Sequence, residues 1–182
     1  MSELTIRPAA YADSPALARL QVESYRNAYA GLLPQDYLDH FTVEEQTFDW
    51  QELLAGPQDF FLLVAEDEKQ ALLGYALGHL GQTAIEGYDC ELDALHVQRS
   101  AQRQGIGQAL IGTMARALQT AGAESIMLWV LVHNPARGLY ERLGGQLLGK
   151  RQVTLGEGDV LAEEAAFGWK RISDLARLSP QG

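Results

Sequence analysis

A glycine-rich turn carries the clearest chemistry in this sequence. Gly105 and Gly107 stand one residue apart behind Gln102 and Arg103, and glycine lets a backbone turn tightly and direct several N–H groups at one point. The apolar residues after the turn have helical spacing: Ile106, Ala109, Leu110, Met114, Ala117, Leu118 and Ala121. Free amides at a helix start favour a bound anion. The pattern predicts a phosphate site, although a glycine pair before a helix can also be an ordinary turn.

Two carboxylates lie just before this turn on an apolar strand. Glu91 and Asp93 flank Leu92, and alternate strand residues share a face, so both carboxylates are expected on one side of the sheet. Acids that share a face raise at least one pKa, which suits a proton acceptor at neutral pH. The alternative is a pair of hydrated surface acids. His96 is expected on the opposite face, with Leu92 and Ala94, where it is an awkward base.

Periodicity and turn residues predict the elements that position these groups. A short strand ends at Pro8, helices capped by Ser14 and Thr42 follow, and strands are expected at 60–65, 71–80 and 88–97. A helix, a strand and a helix are predicted between 104 and 143. Strands at 146–155 and 160–169, joined by a turn from Gly156 to Asp159, precede a short final helix. This order predicts an α+β fold with a central mixed sheet.

Two blocks of this sequence closely resemble the GNAT superfamily of acyl-CoA-dependent N-acyltransferases. The first block has a strand ending in Leu95 and Val97, then Gln102, Gly105 and Gly107. The second has a strand from Trp129 to Val132 and then the residues Asn134, Pro135, Ala136, Arg137, Leu139, Tyr140, Glu141, Arg142, Leu143, Gly144 and Gly145. The resemblance extends over about residues 4 to 169. It implies one GNAT domain over residues 1–182, with a mostly antiparallel twisted sheet of about seven strands flanked by helices.

The resemblance also implies an N-acetyltransferase that moves an acetyl group from acetyl-CoA to a primary amine by direct attack. Its cofactor-binding positions are Leu95, His96, Val97, Gln102, Arg103, Gln104, Gly105, Ile106, Gly107, Gln108, Asn134, Arg137 and Tyr140. The amides from Gln102 to Gln108 would hold the pyrophosphate, and the strand ending at Val97 would face the pantetheine arm between two splayed strands. A backbone N–H near Leu95 would polarise the thioester carbonyl.

Three residues are candidates for moving protons in such a reaction. Tyr140 matches a frequent general acid of the family, since a phenol stays protonated at neutral pH and can donate to a leaving thiolate. Glu91 matches a frequently acidic position and, with Asp93, is the candidate base, although a water chain can replace it. Asn134 lies six residues before Tyr140, where many members have seven, and Asn before Pro is also a good helix entry.

Composition restricts the partners. The chain has 182 residues, 47% of them hydrophobic, and a formal net charge of −10, which disfavours nucleic acid and anionic membranes. A lone cysteine, Cys90, suits a reducing cytosol, and no run of membrane-span length or signal peptide is evident, so a cytoplasmic protein is expected. The histidines are scattered, and no metal is implied. A homodimer is allowed by family analogy.

The acceptor is not determined by the sequence beyond a small-molecule or peptide amine. Tyr25, Tyr29, Tyr37 and Trp50 would line its site or belong to the core, and Glu163 and Glu164 would attract an ammonium group or simply charge an edge strand. Two other classes of function remain open. One is a non-catalytic acyl-CoA sensor, and the other is a nucleotide-binding α/β domain.

Overall fold

The computed structural model describes residues 4–81, 83–155 and 160–178. The strands are β1 (Thr5–Pro8), β2 (Phe60–Glu66), β3 (Leu72–Leu80), β4 (Cys90–Val97), β5 (Ile126–Leu131), β6 (Gln146–Leu155) and β7 (Val160–Trp169). The helices are α1 (Ser14–Tyr29), α2 (Gln35–His40), α3 (Val43–Ala55), α4 (Ile106–Thr120), α5 (Arg137–Arg142) and α6 (Ser173–Ala176). The predicted turn from Gly156 to Asp159 lies outside the described residues.

All seven strands form one sheet in the order β1-β2-β3-β4-β5-β7-β6. Neighbouring strands are antiparallel except β4 and β5, which are parallel. The parallel pair is connected through α4, as a parallel connection requires a crossover. The prediction of an α+β fold with a mixed, mostly antiparallel sheet is confirmed.

The helix ends follow from local hydrogen bonding. Thr42 caps α3 as predicted, and its hydroxyl oxygen accepts from the amide of Glu45 at 3.3 Å. Ser14 is the first residue of α1 rather than its cap, and its hydroxyl donates to the carbonyl of Tyr11 at 2.8 Å. Across the described ranges, no helix combines the length and apolar character that a membrane crossing needs.

Helices cover both faces of the sheet and give it two apolar layers. On one face, α1 and α3 pack through Leu17 and Trp50 onto Tyr75 of β3. On the other face, α4 and α6 pack onto β4, β5 and β7, with Met114 and Phe167 among the buried residues. A residue on β4 therefore faces either the α1/α3 layer or the α4/α6 layer, and its position in the strand decides which.

A β-bulge in β4 changes that alternation. Leu92 pairs with Gly78 and Ala94 pairs with Leu77, so Asp93 is an extra residue in the ladder. Before the bulge, Leu92 faces the α4 layer, whereas after it Ala94 faces the α1/α3 layer. The prediction that His96 shares a face with Leu92 is therefore wrong. The bulge places Ala94 and His96 on the other side of the sheet.

Candidate active site

The sheet opens between its two parallel strands. β4 and β5 pair only at Cys90 with Ile126 and at Glu91 with Met127, although both strands continue well beyond these residues. The rest of β4 stays paired to β3 and the rest of β5 stays paired to β7. Beyond Glu91 the facing edges of β4 and β5 therefore carry backbone groups that a ligand can satisfy.

Free backbone amides lie at the start of α4, where β4 leads into the helix. Arg103 and Gly105 both have positive φ, 63° and 82°, which turns the chain sharply into α4. The first helical bond runs from the amide of Ala109 to the carbonyl of Gly105. Among the described residues, the amides of Ile106, Gly107 and Gln108 have no acceptor. Free N–H groups at the positive end of a helix dipole suit a bound anion.

The two glutamines of the loop support its shape. The side-chain amide of Gln102 donates to the carbonyl of Val97 at 3.0 Å, and that of Gln104 donates to the carbonyl of Ser100 at 3.2 Å. Both side chains therefore hold the loop through their own nitrogen atoms. The exposed Arg103 enters none of the ion pairs between described residues, so its positive charge is available at the turn.

Gly107 brings the first turn of α4 against the end of β4. A Cβ at Gly107 would lie 3.4 Å from Leu139, 3.7 Å from Val97 and 3.9 Å from Leu95. These residues belong to α5 and to the predicted cofactor strand. The glycine, the strand end and α5 are thus in contact, and the first and second sequence blocks meet at one place.

Tyr140 lies on α5 in an apolar setting. Its ring centroid is 6.1 Å from that of Phe167 and 6.4 Å from that of Trp169, and only 5% of the residue is exposed. Burial raises the pKa of the Tyr140 phenol above its ordinary value. The hydroxyl therefore keeps its proton at neutral pH, which is the state that a general acid needs.

Asn134 and Arg137 form the entry to α5. The side-chain oxygen of Asn134 accepts from the amide of Ala136 at 2.8 Å, so the helix-entry role of this asparagine is realised. Arg137 donates to the carbonyl of Val132 at 3.0 Å, and its guanidinium lies 5.8 Å from the centre of the Phe167 ring. Arg137 is folded onto its own turn, while its Nε is buried without a partner among the described residues.

Glu91 stands at the vertex of the opening, in the last pair between β4 and β5. Burial raises its pKa above the ordinary value, and the neighbouring charge of Asp93 raises it further. The charges of His79 and Arg151 and the amide of Ala84 act in the opposite direction. The sequence predicts a raised pKa for at least one of these two acids, and Glu91 has it.

His79 also belongs to this group, although no sequence motif predicts it there. His79 pairs directly with Glu91 across β3 and β4, and its Nδ1 lies 2.8 Å from Oδ2 of Asp93. An ionised carboxylate only accepts, so Nδ1 carries the hydrogen and donates. The predicted hairpin already held the signal, because its antiparallel register places the end of β3 opposite the start of β4.

His96 lies on the α1/α3 face, and its ring packs against that of Tyr75 at a tilt of 44°, with centroids 4.9 Å apart. Burial lowers the pKa of His96 to about 4, so the ring is neutral at pH 7. Because the His96 ring packs against Tyr75, the backbone N–H and C=O of His96 are the groups that could contact a cofactor.

The predicted acceptor residues separate into core and surface. Trp50 belongs to the core, since it is 6% exposed, meets Tyr75 edge to face and donates to Gln21 at 2.6 Å. Tyr25 instead packs between Tyr29 and Phe41, each 4.3 Å away between ring centroids. Tyr25 and Tyr29 lie at the end of α1, and Phe41 follows α2.

The carboxylates of β7 are paired with cations of β6. Lys150 binds Glu163 at 2.8 Å, and Arg151 binds Glu164 at 2.7 Å. Arg151 also lies 3.9 Å from the centre of the Trp129 ring. The hairpin therefore offers a neutralised surface beside β5 rather than a pair of free acids.

Cys90 does not provide a nucleophile. Its Sγ donates to the carbonyl of Ser125 at 3.1 Å, and the residue is fully buried. Burial, with smaller effects of Asp89 and Asp93, raises the pKa of the thiol to about 12. At neutral pH the sulfur is a protonated, inaccessible core atom.

Together, these features define an α+β protein in which an anion-binding helix start lies beside an opening between parallel strands. The acetyltransferase (GNAT) family matches the chain over residues 18–145. The Bacillus subtilis (strain 168) protein called uncharacterized N-acetyltransferase YuaI is 31% identical over 176 residues, which cover 96% of this chain and 98% of YuaI. The chain belongs to the acetyltransferase (GNAT) family.

Solved structures with low sequence identity share the fold. PaiA N-acetyltransferase from Thermoplasma acidophilum, in complex with coenzyme A, has a TM-score of 0.64 and 19% identity, over 88% of this chain and 98% of PaiA. A phosphinothricin acetyltransferase from Sinorhizobium meliloti, in complex with acetyl-CoA, has a TM-score of 0.66 and 21% identity, over 91% of this chain and 87% of that one.

Proposed function

We propose that this protein is an N-acetyltransferase that transfers the acetyl group of acetyl-CoA directly to the primary amine of a small molecule or peptide. The observation that carries the proposal is the opening between β4 and β5, which lies beside the free amides of α4. Among the solved relatives, PaiA was crystallised with coenzyme A and the phosphinothricin enzyme with acetyl-CoA.

The residues present fit such a donor in both charge and hydrogen bonding. The amides of Ile106, Gly107 and Gln108 together with Arg103 provide a positive site for a pyrophosphate in a chain of net charge −10. The uncovered edges of β4 and β5 provide backbone donors and acceptors for an amide-bearing arm. When bound, acetyl-CoA supplies a thioester whose carbonyl carbon can be attacked by a neutral amine.

The directions of the pKa shifts at Glu91 and Tyr140 suit the roles that we propose for them. Glu91 accepts a proton from the acceptor ammonium, because its raised pKa brings it closer to the working pH. Tyr140 donates a proton to the departing thiolate, because its buried phenol remains protonated. Asn134 keeps its side-chain NH₂ for the donor, since its oxygen is used by Ala136.

Direct attack is favoured over an acyl-enzyme because the chain's one cysteine is unsuited to carry the acetyl group. Cys90 has a raised pKa and a hydrogen bond to Ser125, and it faces the α4 layer together with Leu92. The acetyl group therefore moves in a single transfer.

A thiol-release assay with acetyl-CoA and a panel of amines tests the proposal. The panel contains polyamines, amino acids, aminoglycosides and N-terminal peptides, and we expect amine-dependent CoA release with at least one class. The alternative of a non-catalytic sensor predicts no release with any class, while CoA still raises the melting temperature through mass action. A nucleotide-binding domain predicts stabilisation by ADP at least equal to that by CoA.

A further inference from the structure

We propose that His79, held by Asp93, is the proton exit of this site, a positioning residue that takes the proton collected by Glu91 and passes it to water. The inference rests on the proposed function, since it concerns the proton that an acceptor ammonium must lose. His79 lies on β3, outside both blocks that resemble the family.

The register of the sheet places the imidazole next to the base. His79 and Glu91 are a directly opposed pair on β3 and β4, and such pairs have Cβ atoms about 4.5–5.5 Å apart. The bulge at Asp93 sets a second carboxylate beside the same histidine, where it meets Nδ1 at 2.8 Å. Three titratable groups from two strands therefore meet at the vertex of the opening.

The hydrogen bond to Asp93 decides which nitrogen can accept a proton. Because Nδ1 donates to the carboxylate, Nε2 is the basic nitrogen of the neutral ring. The imidazolium that forms when Nε2 is protonated is stabilised by the negative charge of Asp93. Asp93 thus fixes the tautomer and favours the charged product of the transfer.

The exit of this path is in contact with solvent. The side chains of His79 and Asp93 are 33% and 32% exposed, so a proton on the imidazole can reach water. The charge of Arg151 also acts on Glu91 and disfavours its protonated form, which helps it release the proton.

The steps balance as simple proton transfers. An N–H bond of the acceptor ammonium breaks, and its proton forms an O–H bond on the Glu91 carboxylate. That O–H bond then breaks, the proton binds Nε2 of His79, and the carboxylate is restored. The imidazolium gives the proton to water or buffer, so His79 ends each turnover neutral.

Chemical rescue of His79→Ala tests the path. With the best amine of the panel, we expect kcat to fall about ten-fold, less than for loss of a direct acid or base, because water replaces part of the relay. The KM for acetyl-CoA should stay the same, and imidazole in the buffer should restore kcat. His40→Ala is the matched control, because among the described residues the His40 ring bonds to the carbonyl of Asp36 in α2, away from Glu91. It should keep wild-type kcat and show no response to imidazole.

Two further variants keep the test decisive if His79→Ala is unstable. His79→Gln keeps a polar side chain beside Asp93 but cannot relay a proton, so it should lose kcat at an unchanged melting temperature. Asp93→Asn should also lower kcat, whereas Asp174→Asn, which breaks the exposed pair with Arg171, should not.

The outcomes separate this inference from the proposed function. Wild-type kcat in His79→Gln, or a loss in His79→Ala that imidazole does not restore, overturns the proton exit and leaves the acetyltransferase in place. A wild-type protein that releases no CoA with any amine overturns the proposed function, and this inference with it.

Discussion

At the scale of single residues, the pKa of Glu91 is shifted in opposite directions by two neighbouring charges, and each charge can be removed by its own substitution. Asp93 raises its pKa, whereas Arg151 lowers it. If Glu91 must be ionised to accept a proton, Arg151→Met should move the acid limb of the kcat/KM profile to higher pH. Asp93→Asn should move the same limb to lower pH. Lys150→Met is the matched control, since Lys150 pairs with Glu163 and is not among the charges acting on Glu91. Shifts of the same sign in both site variants would exclude Glu91 as the base.

Glu91 should also reduce stability at neutral pH. The pKa of Glu91 is higher in the folded than in the unfolded protein, so the protonated carboxyl favours folding. This contribution to stability is complete below the unfolded pKa and is lost as the pH rises through the folded pKa. Glu91→Gln should therefore raise the melting temperature at pH 8, by about 2 °C, and have less effect at pH 4. Glu52→Gln, an exposed change in α3, should show no such pH dependence. A Glu91→Gln protein less stable than wild type at pH 8 contradicts the assigned shift.

Tyr140→Phe isolates the phenol from the ring. The aromatic contacts with Phe167 and Trp169 are kept, and only the proton donor is lost. We expect kcat to fall about 100-fold, while the Kd for acetyl-CoA, measured by calorimetry, changes little. Equal loss of binding and turnover would make Tyr140 a binding or packing residue instead.

At the scale of elements, the start of α4 should respond to charge more than to bulk. Gly107→Glu places a carboxylate among free amides next to Leu139 and should weaken CoA binding by about ten-fold or more. Gln119→Glu adds the same charge at the other end of α4 and should leave the affinity unchanged. Calorimetry on both variants separates the two effects, and an unaltered Kd in Gly107→Glu would remove the phosphate from this turn.

The sequence was sufficient for the elements that depend on local chemistry. Thr42 capped α3 and Pro8 ended β1, because caps and missing ladder donors act within a few residues. The strand, glycine turn and helix around Gly105 were predicted for the same reason. Local pattern and family motif agreed there.

Non-local contacts account for what the sequence could not supply. The bulge at Asp93 depends on how β3 and β4 pair, and no residue type at this position predicts it. It reversed the predicted face of His96. His79 was treated as isolated because its partners lie on another strand, 12 and 14 positions away along the chain. Strand register, once known, joins all three residues.

At the scale of the whole molecule, the fold specifies the donor side more closely than the acceptor side. In the proposed site, the donor would contact backbone amides and strand edges, which the sheet order and α4 provide. The acceptor would contact side chains of α1, β6 and β7, and there Glu163 and Glu164 are already paired with Lys150 and Arg151. The negative net charge of the chain therefore does not identify the acceptor amine.

The reaction that we propose is a direct, amine-dependent transfer of an acetyl group from acetyl-CoA. The most direct test follows free CoA and the intact mass of the protein together, first with acetyl-CoA alone and then after addition of the amine panel. We predict no acetyl adduct on the protein and negligible CoA release before the amine, then one acetylated amine for each CoA released. An acetyl adduct that forms before the amine is added would contradict direct attack, and no amine-dependent release with any member of the panel would contradict the assignment of the enzyme itself.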